Sequence, residues 1–386
     1  MKNSALLAFP ALLLTCGLTP AISRADFVQT NIIADVSGLA PQTDPDLKNP
    51  WGMSFGPKTP IWVSNQGSNT STLYDALAVP SKVPLTVNIP TSGASLPTGP
   101  TGQVFNSTTS DFMIPAASGT VKAVFIFATL EGTIQGWNPG SSGGLTNAET
   151  VVTVPHAILT GLTLDSVGTT NYLYAADATG SIRVFSGSFV DVTNMTFAGK
   201  FVDPNPVAGF KPYNIQSLGG NLFVTYAAAT STGAPLPGGY VDEFSATGNF
   251  MQRIATGGPL DAPWGLTLAP KGFGSFGGDL LVGNLFNSTI DAFNLSNQDH
   301  FDGSIAVNTG FASPVGLWAL DFGNGATGNS GTLYFTAGVN DQKDGVFGQL
   351  NFVPEPGYLS LLAPALAGLL MYRWRRERAS RGTHRT

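Results

Sequence analysis

Polar side chains recur at one position of a repeated pattern, where the second of two β-rich segments ends. The residues at this position are Asn65, Thr129, Asp177, Tyr226, Asn284 and Ala337. Amide, hydroxyl and carboxylate groups that converge on one surface can bind sugar hydroxyls or the polar groups of a peptide. Two tryptophans at the start of related segments offer rigid faces for stacking. The pattern predicts a candidate ligand face formed by Trp51, Asn65, Asp177, Tyr226, Trp264 and Asn284.

The same residues have a structural interpretation, which the sequence leaves open. Asn, Asp and Thr at strand ends often hydrogen-bond to the following turn. A tryptophan beside a conformationally constrained glycine often fills the interface between two packed sheets. The two interpretations differ in whether these side chains reach solvent.

Catalytic patterns are sparse in this chain. The central part of the chain contains two histidines, His156 and His300, whereas a catalytic zinc site usually needs three clustered ligands. The single cysteine is Cys16, near the N-terminus. Neither a G-x-S-x-G motif nor a phosphate-binding glycine loop is present in the sequence. We therefore predict no catalytic residue, no metal ligand and no cofactor. The sequence leaves enzymatic activity undecided and favours a non-enzymatic protein.

A repeat of about fifty residues positions the candidate ligand face. The repeat is marked by six anchor residues at intervals of 50, 59, 53, 51 and 51: Gly52, Gly102, Gly161, Asn214, Gly265 and Gly316. Each anchor is followed by a second β-rich segment, and most units contain a third. Three or four short strands in such a period are typical of a β-propeller blade. The sequence predicts an all-β fold, a six-bladed β-propeller over residues 26–352.

One β-rich segment precedes the first anchor and has no blade of its own. This segment, FVQTNIIADV, covers residues 27–36, and the last unit ends with VFGQLNFV at Val353. Pairing the two segments would close the ring and remove two exposed sheet edges. We expect this closure.

The charge of the chain is unevenly distributed. Residues 26–353 contain 10 Lys and Arg against 22 Asp and Glu, a formal net charge of 10 − 22 = −12. Six of the 18 basic residues lie in the last 14 positions. An acidic body repels phosphate backbones, so we expect no nucleic-acid partner.

The N-terminus has the layout of a secretory signal peptide. Lys2 precedes an apolar run, and small residues at positions 23 and 25 fit cleavage after Ala25. We predict that residues 1–25 are removed. An apolar first strand and a lipoprotein cut before Cys16 are the alternatives.

The C-terminus combines a short proline-containing motif, an apolar segment and a basic tail. The motif and tail residues are Val353, Pro354, Glu355, Pro356, Arg373, Arg375 and Arg376. The segment between them, residues 358–372, would span about 22 Å as a helix, which is short for a bilayer core of about 30 Å. Arginines on the tail favour a cytoplasmic C-terminus. We predict a single transmembrane helix within residues 353–386, and a plain membrane anchor with a proline-rich stalk is the alternative.

This end resembles the PEP-CTERM sorting signal of Gram-negative bacteria. The resemblance implies processing by an exosortase, transient residence in the inner membrane, and a final location at the cell envelope, the cell surface or in the extracellular matrix. It also associates the protein with extracellular polysaccharide. The tail continues as ERASRGTHRT and is longer than is usual in such signals.

The repeated phrases PWGMSFGPK and PWGLTLAPK resemble NHL-type and gluconolactonase-like six-bladed propellers. With VSNQGSNTSTLYD and VGNLFNSTIDAFN they resemble an uncharacterised family of PEP-CTERM-bearing propellers. The resemblance implies an exported, non-enzymatic binding or scaffold protein with a carbohydrate or protein partner. The alternative is a metal-dependent hydrolase or lactonase of the gluconolactonase type. That metal site is not carried over, because Asn49 stands where the family has an acidic ligand.

Overall fold

The structure of the protein, a computed structural model, describes residues 26–93, 98–229, 235–311, 316–354, 368 and 370–375. Residues 27–353 form one compact unit. Short apolar strands alternate along the chain with glycine-containing turns. Strands that are neighbours in a sheet are also consecutive in the chain, except at one inserted hairpin and in the sheet that closes the ring. The fold is a six-bladed β-propeller, as the repeat predicted.

The blades follow the six repeats in chain order. Two strands precede them, β1 (Asp26–Ala34) and β2 (Gln42–Thr43). Blade 1 contains β3 (Pro50–Ser54), β4 (Ile61–Asn65), β5 (Thr70–Asp75) and β6 (Ser81–Asn88). Blade 2 begins with β7 (Pro100–Phe105), is interrupted by the hairpin of β8 (Met113–Pro115) and β9 (Thr120–Lys122), and continues with β10 (Phe125–Thr129), β11 (Thr133–Trp137) and β12 (Glu149–Thr153). Blade 3 contains β13 (Leu159–Val167), β14 (Thr170–Asp177) and β15 (Ser181–Ser186).

The second half of the ring repeats this arrangement. Blade 4 contains β16 (Phe210–Leu218), β17 (Asn221–Ala229), β18 (Pro235–Ser245) and β19 (Phe250–Thr256). Blade 5 contains β20 (Pro263–Leu268), β21 (Leu280–Asn284), β22 (Thr289–Asn294) and β23 (His300–Ala306), with a 3-10 turn at Gly274–Phe276. Blade 6 contains β24 (Gly316–Phe322), β25 (Thr332–Val339) and β26 (Asp344–Val353). Blade 3 has three strands, and its outer edge is partly covered by a bridge between Phe185 and Asp191.

The ring is closed by the first and last strands. Strand β1 is the neighbour of β26 in the blade 6 sheet. The backbone N–H of Asp35 donates to the carbonyl of Gly345 at 3.2 Å, and the rings of Phe27 and Phe352 are 5.9 Å apart. The two strands therefore run in opposite directions, and the two ends of the propeller leave it side by side. The predicted closure is confirmed.

Four of the anchor glycines, Gly52, Gly102, Gly161 and Gly265, lie where inner strands of adjacent blades touch. A Cβ on Gly52 would stand 2.3 Å from the carbonyl oxygen of Thr101, and one on Gly265 would stand 2.3 Å from that of Trp318. Each of these carbonyls belongs to the next blade. Only glycine allows this approach, because any side chain would collide with the neighbouring backbone. The predicted sixth anchor, Gly316, is wrong: Leu317 pairs with Ala337 as Pro50 pairs with Asn65, so Ala319 is the blade 6 residue equivalent to Gly52.

Hydrophobic clusters fill the spaces between successive blades. Between blades 1 and 2, Trp62 stacks on Phe125 with ring centroids 4.2 Å apart, and Trp137 lies against it at 4.7 Å. Equivalent clusters lie between the other blades. Each blade is thus held mainly by its two neighbours, which gives the ring a fixed geometry.

Several predictions about the chain ends fall outside the described residues. These concern Ala25, Glu355, Pro356 and Arg376. Val353 ends β26, and Arg373 and Arg375 lie in a helical stretch at residues 370–375. Within the described part of the chain, none of the helical residues forms a segment with the length and apolar character needed to cross a bilayer.

Candidate functional site

The strand pairing brings the predicted ligand residues to one face of the propeller. We call this the upper face, the side on which the inner strands begin and the second strands end. Pro50 pairs with Asn65, Leu159 with Asp177, and Pro263 with Asn284. The opposite side, from which the two chain ends leave, is the lower face.

Burial separates these side chains from solvent on the upper face. The exposed fractions are 0% for Asn65, Asp177 and Asn284, 4% for Trp51 and Trp264, and 5% for Tyr226. Solvent therefore has almost no access to the candidate ligand face as the sequence defined it.

Hydrogen bonds tie the polar members to the turns that follow them. The Nδ2 of Asn65 donates to the hydroxyls of Thr70 and Thr72, at 3.2 and 2.9 Å. Thr129 shares a hydrogen bond of 2.7 Å with the hydroxyl of Thr133. In each case the partner is a threonine of the next strand, so the pair fixes the connection between the second and third strands of the blade.

Asp177 and Asn284 hold two loops at once. The Oδ1 of Asp177 accepts hydrogen bonds from the backbone N–H of Ile158 and from the hydroxyl of Thr179, at 3.2 and 2.8 Å, and its Oδ2 accepts from Arg183 Nε at 3.0 Å. The Oδ1 of Asn284 accepts from the backbone N–H of Asp261 at 2.9 Å. These contacts correspond to the turn-supporting interpretation of the sequence.

The tryptophans form a plug at the centre of the ring. Trp51 stacks on Trp318 with ring centroids 3.7 Å apart and planes 19° apart. Trp264 meets both rings edge-on, at 6.4 and 5.8 Å, and Tyr213 lies 6.1 Å from Trp318. Blades 1, 4, 5 and 6 each contribute one ring. Trp318 and Tyr213 were not among the predicted ligand residues. Their positions could have indicated them, because Tyr213 directly precedes the anchor residue Asn214 and Trp318 lies two positions after Gly316.

Hydrogen bonds fix the orientation of the plug. The Nε1 of Trp264 donates to the carbonyl of Thr160 at 2.9 Å, and the Nε1 of Trp318 donates to Asn49 Oδ1 at 3.1 Å. Below the plug the inner strands leave a cavity of about 20 Å³, which is room for about one water molecule. The residues lining it include Gly52, Gly102, Leu162, Asn214, Leu266 and Ala319. Among the described residues, aromatic side chains therefore occupy the upper end of the propeller axis.

Tyr226 belongs to a second aromatic group in blade 4. Its ring stacks on Tyr240 at 4.2 Å, and the guanidinium of Arg253 lies 3.9 Å above the Tyr240 ring. Arg253 also pairs with Asp242 and Asp203. Burial raises the pKa of Asp242 to about 7, although the paired guanidinium opposes this shift.

Side chains that could bind a metal do not cluster within the described residues. Among the described residues, no three His, Cys, Asp or Glu side chains lie close enough together to bind one ion. His156 is exposed and has a positive φ of 65°. Glu131 accepts hydrogen bonds from the backbone and the hydroxyl of Ser92.

The surface of the upper face consists of the loops above these buried residues. Phe286 follows the loop-holding Asn284, is partly exposed, and packs against the core that contains the plug. Ile158, which is held by Asp177, has the same environment. Partly exposed apolar side chains on loops that Asp177 and Asn284 hold by hydrogen bonds are available for contact with another molecule.

Fold and site together define a six-bladed β-propeller with an aromatic plug at its axis, closed by non-covalent pairing of its end strands. No protein-family model matches the chain. An uncharacterized protein of Acanthamoeba polyphaga mimivirus is 28% identical over 367 residues, which cover 88% of this chain and 86% of that protein. A second uncharacterized protein of the same virus is 27% identical over 365 residues, with coverage of 88% and 92%.

Solved structures with low sequence identity are also similar to this chain. A streptogramin B lyase structure is 13% identical, covers 86% of this chain and 100% of its own, and has a TM-score of 0.44. The PQQ-bound form of an aldose sugar dehydrogenase from Streptomyces coelicolor is 15% identical, with coverage of 85% and 99% and a TM-score of 0.49. The strand pairing of the chain itself defines its six-bladed fold.

Proposed function

We propose that the protein is an exported, envelope-associated β-propeller that acts as a non-enzymatic binding or scaffold protein, linked to extracellular polysaccharide. The observation that carries this proposal is the aromatic plug. Trp51, Trp264 and Trp318 occupy the axis, where a propeller would otherwise offer a concave site for a small substrate. A ring whose axis is occupied by aromatic side chains favours binding through its outer loops.

The proposed location at the cell envelope depends on the sequences of the N-terminus and the C-terminus. A signal peptide ending at Ala25 and an exosortase-processed motif at Val353, Pro354, Glu355 and Pro356 support passage across the inner membrane. Pairing of β1 with β26 is compatible with this address, because both processed ends would leave the propeller at one place on its lower face. Such a protein would be held at the envelope from the lower face, which leaves the upper face free for a polysaccharide or protein partner.

The proposed contact surface is the set of upper-face loops. Phe286 and Ile158 would provide apolar contact for the C–H face of a sugar ring. Asn65, Asp177 and Asn284 support the proposal as residues that hold these loops in place, since their side chains are fully buried. Direct contact between these three side chains and a ligand would require the loops above them to move.

A binding experiment with the secreted polysaccharide of the producing bacterium tests this function. The mature propeller is compared with a Phe286→Ser, Ile158→Ser variant and with Val79→Ser as a matched control. Val79 is 80% exposed in a lower-face turn, so its substitution changes polarity without touching the proposed surface. We expect the upper-face variant to bind at least tenfold more weakly and the control to bind normally. Equal binding by all three proteins would reject the upper face as the contact surface.

A second experiment distinguishes the proposal from the alternative of a metal-dependent lactonase. Metal content of the purified propeller is measured, and activity is assayed on a panel of lactones and esters before and after chelation. We expect turnover no greater than that of buffer. Stoichiometric metal, together with turnover that chelation abolishes, would replace the binding function with an enzymatic one.

The proposed address is tested by mass spectrometry of the protein from the producing cells. We expect a mature N-terminus at residue 26 and loss of the arginine-rich tail. An intact tail on surface-associated protein would favour the plain membrane anchor.

A further inference from the structure

Two carboxylates face each other beneath blade 5, on the lower face. Asp279 immediately precedes β21, and Asp302 lies in β23 at a bulge between Phe301 and Gly303. Asp279 and Asp302 lie on either side of the end of β22, because Leu280 pairs with Phe293 and the next residue, Asn294, donates a hydrogen bond to Asp302. The two carboxyl groups interact with each other. Asp279 is 2% exposed, and its Oδ2 is buried without a hydrogen-bond partner among the described groups that could donate to it.

The surroundings of this pair do not neutralise two negative charges. The Nδ2 of Asn294 donates to Asp302 Oδ2 at 3.2 Å, which holds the Asp302 carboxylate in place as an acceptor. Within the described residues, these two carboxylates take part in one ion pair, between His300 Nε2 and Asp302 Oδ1 at 4.0 Å. The His300 side chain is 66% exposed. Burying an unpaired carboxylate beside a second one is costly unless one of them carries a proton.

We infer that at acidic pH Asp279 is a protonated carboxylic acid that donates a hydrogen bond from Oδ2 to the Asp302 carboxylate, and that this pair is a pH-sensitive latch on ring closure. Asn294 orients the acceptor, and burial keeps the proton on Asp279. Consistent with this, burial and the neighbouring Asp302 raise the pKa of Asp279 to about 6.

The pair is connected to ring closure through an aromatic loop. Residues 269–279 form a loop closed by hydrogen bonds between the backbones of Ala269 and Asp279, at 2.9 Å, and of Gly278 and Ala269, at 3.0 Å. The loop carries Phe273 and Phe276, whose rings lie 4.9 and 5.7 Å from Phe27 of the closing strand.

Phe276 also packs against β23, the strand that carries Asp302. A Cβ on Gly303, the residue after Asp302, would stand 3.4 Å from the Phe276 ring. When Asp279 loses its proton, repulsion between the carboxylates pushes β23 and the loop apart. Phe276 is then displaced from both β23 and Phe27, and the contact between blade 5 and the closing strand weakens.

The direction of the pH effect follows from the raised pKa. The stabilising contribution of the pair is complete below the unfolded-state pKa of about 4 and is lost as pH rises through about 6. The melting temperature of the wild-type propeller is measured between about pH 4 and about pH 8 and compared with that of Asp279→Asn. Asparagine keeps an N–H donor toward Asp302 and never ionises.

We expect Asp279→Asn to match the wild type at the acidic end and to melt at a higher temperature at the alkaline end. Hydrogen exchange of the β1 amides, corrected for the intrinsic rate, should show greater protection in the variant at alkaline pH. Asp302→Asn is a second variant that should also flatten the pH profile, because it removes the opposing charge. Asp242 and Asp321 titrate in an overlapping range but are common to all proteins compared, so the difference between profiles isolates the pair.

Two control variants accompany the test, and three results would contradict the inference. Asp341→Asn alters a side chain that is 79% exposed and should reproduce the wild-type profile. His300→Gln should retain the wild-type slope, and loss of the slope in this variant would assign the effect to the histidine. Millimolar calcium that raises the melting temperature of the wild type but not of Asp279→Asn would show that a cation bridges the pair. Either result, or an unchanged profile in Asp279→Asn, overturns the inference.

Discussion

Asn284 provides the sharpest test of whether the polar residues of the upper face support the fold or contact a ligand. Its Oδ1 accepts a hydrogen bond from the backbone N–H of Asp261 at 2.9 Å, and its Nδ2 donates to Asp291 Oδ2 at 2.7 Å. Asn284 and Asp291 are both fully buried. Asn284→Ala would leave both partners without this bond.

The expected cost follows from the number and burial of the orphaned groups. An orphaned buried polar group costs about 1–3 kcal/mol, and more if it is charged. Asp291 keeps a hydrogen bond of 2.6 Å from the hydroxyl of Ser304, and Asp261 is only partly buried. We therefore expect Asn284→Ala to lower the free energy of unfolding by about 2–4 kcal/mol. Asn65→Ala should cost less, about 1–2 kcal/mol, because its partners are the neutral hydroxyls of Thr70 and Thr72.

Urea denaturation followed by tryptophan fluorescence measures these differences, and binding to polysaccharide is measured on the same proteins. Asn287→Ala is a control for stability only, since Asn287 is exposed on the same turn and its hydrogen bonds with Pro259 and Thr289 are exposed. Its loss should cost less than about 1 kcal/mol. Unchanged stability of Asn284→Ala together with lost binding would refute the structural role and support direct ligand contact. A larger loss in Asn65→Ala than in Asn284→Ala would contradict the reasoning about charged partners.

Three further predictions follow from the fold. Gly265→Ala should destabilise the propeller strongly or prevent folding, since its Cβ would meet the Trp318 carbonyl, whereas Gly272→Ala, with open space around it, should be neutral by urea denaturation. Trp318→Ala should cost about 3–5 kcal/mol in the same assay, because it empties the centre of the plug, and an unchanged midpoint would show that the plug does not stabilise the ring. Asp242→Asn should flatten the pH dependence of the free energy of unfolding between about pH 4 and about pH 7, measured by urea denaturation. The reason is that the stability due to the neutral acid is lost as pH rises through the raised pKa of Asp242. A pH profile as steep as that of the wild type would argue against the raised pKa.

The architecture of the ring was predictable from the sequence because its causes are periodic and local. Inner strands of neighbouring blades approach closely, so glycine recurs at Gly52, Gly102, Gly161 and Gly265. An unpaired sheet edge is unfavourable, so a leftover strand at each end of the chain predicts closure. Both features depend on spacing along the chain.

The sequence was less informative where the outcome depends on what covers a residue. Asn65, Asp177 and Asn284 were placed at the correct end of their strands, yet the pattern could not show that the turns and loops above them exclude solvent. The missing fourth strand of blade 3 was also not predicted, because a bridge from the following loop, at Asp191, takes part of its place.

The sequence by itself determined the number of blades, their order and the way the ring closes. Tertiary structure alone decided which side chains are buried and which meet. Trp51 and Trp318 are 267 residues apart in the chain and stack at 3.7 Å, and Asp279 faces Asp302 across blade 5. The physical reason is that backbone spacing repeats with the blades, whereas burial and the pairing of side chains depend on which neighbours surround each position once the ring has closed.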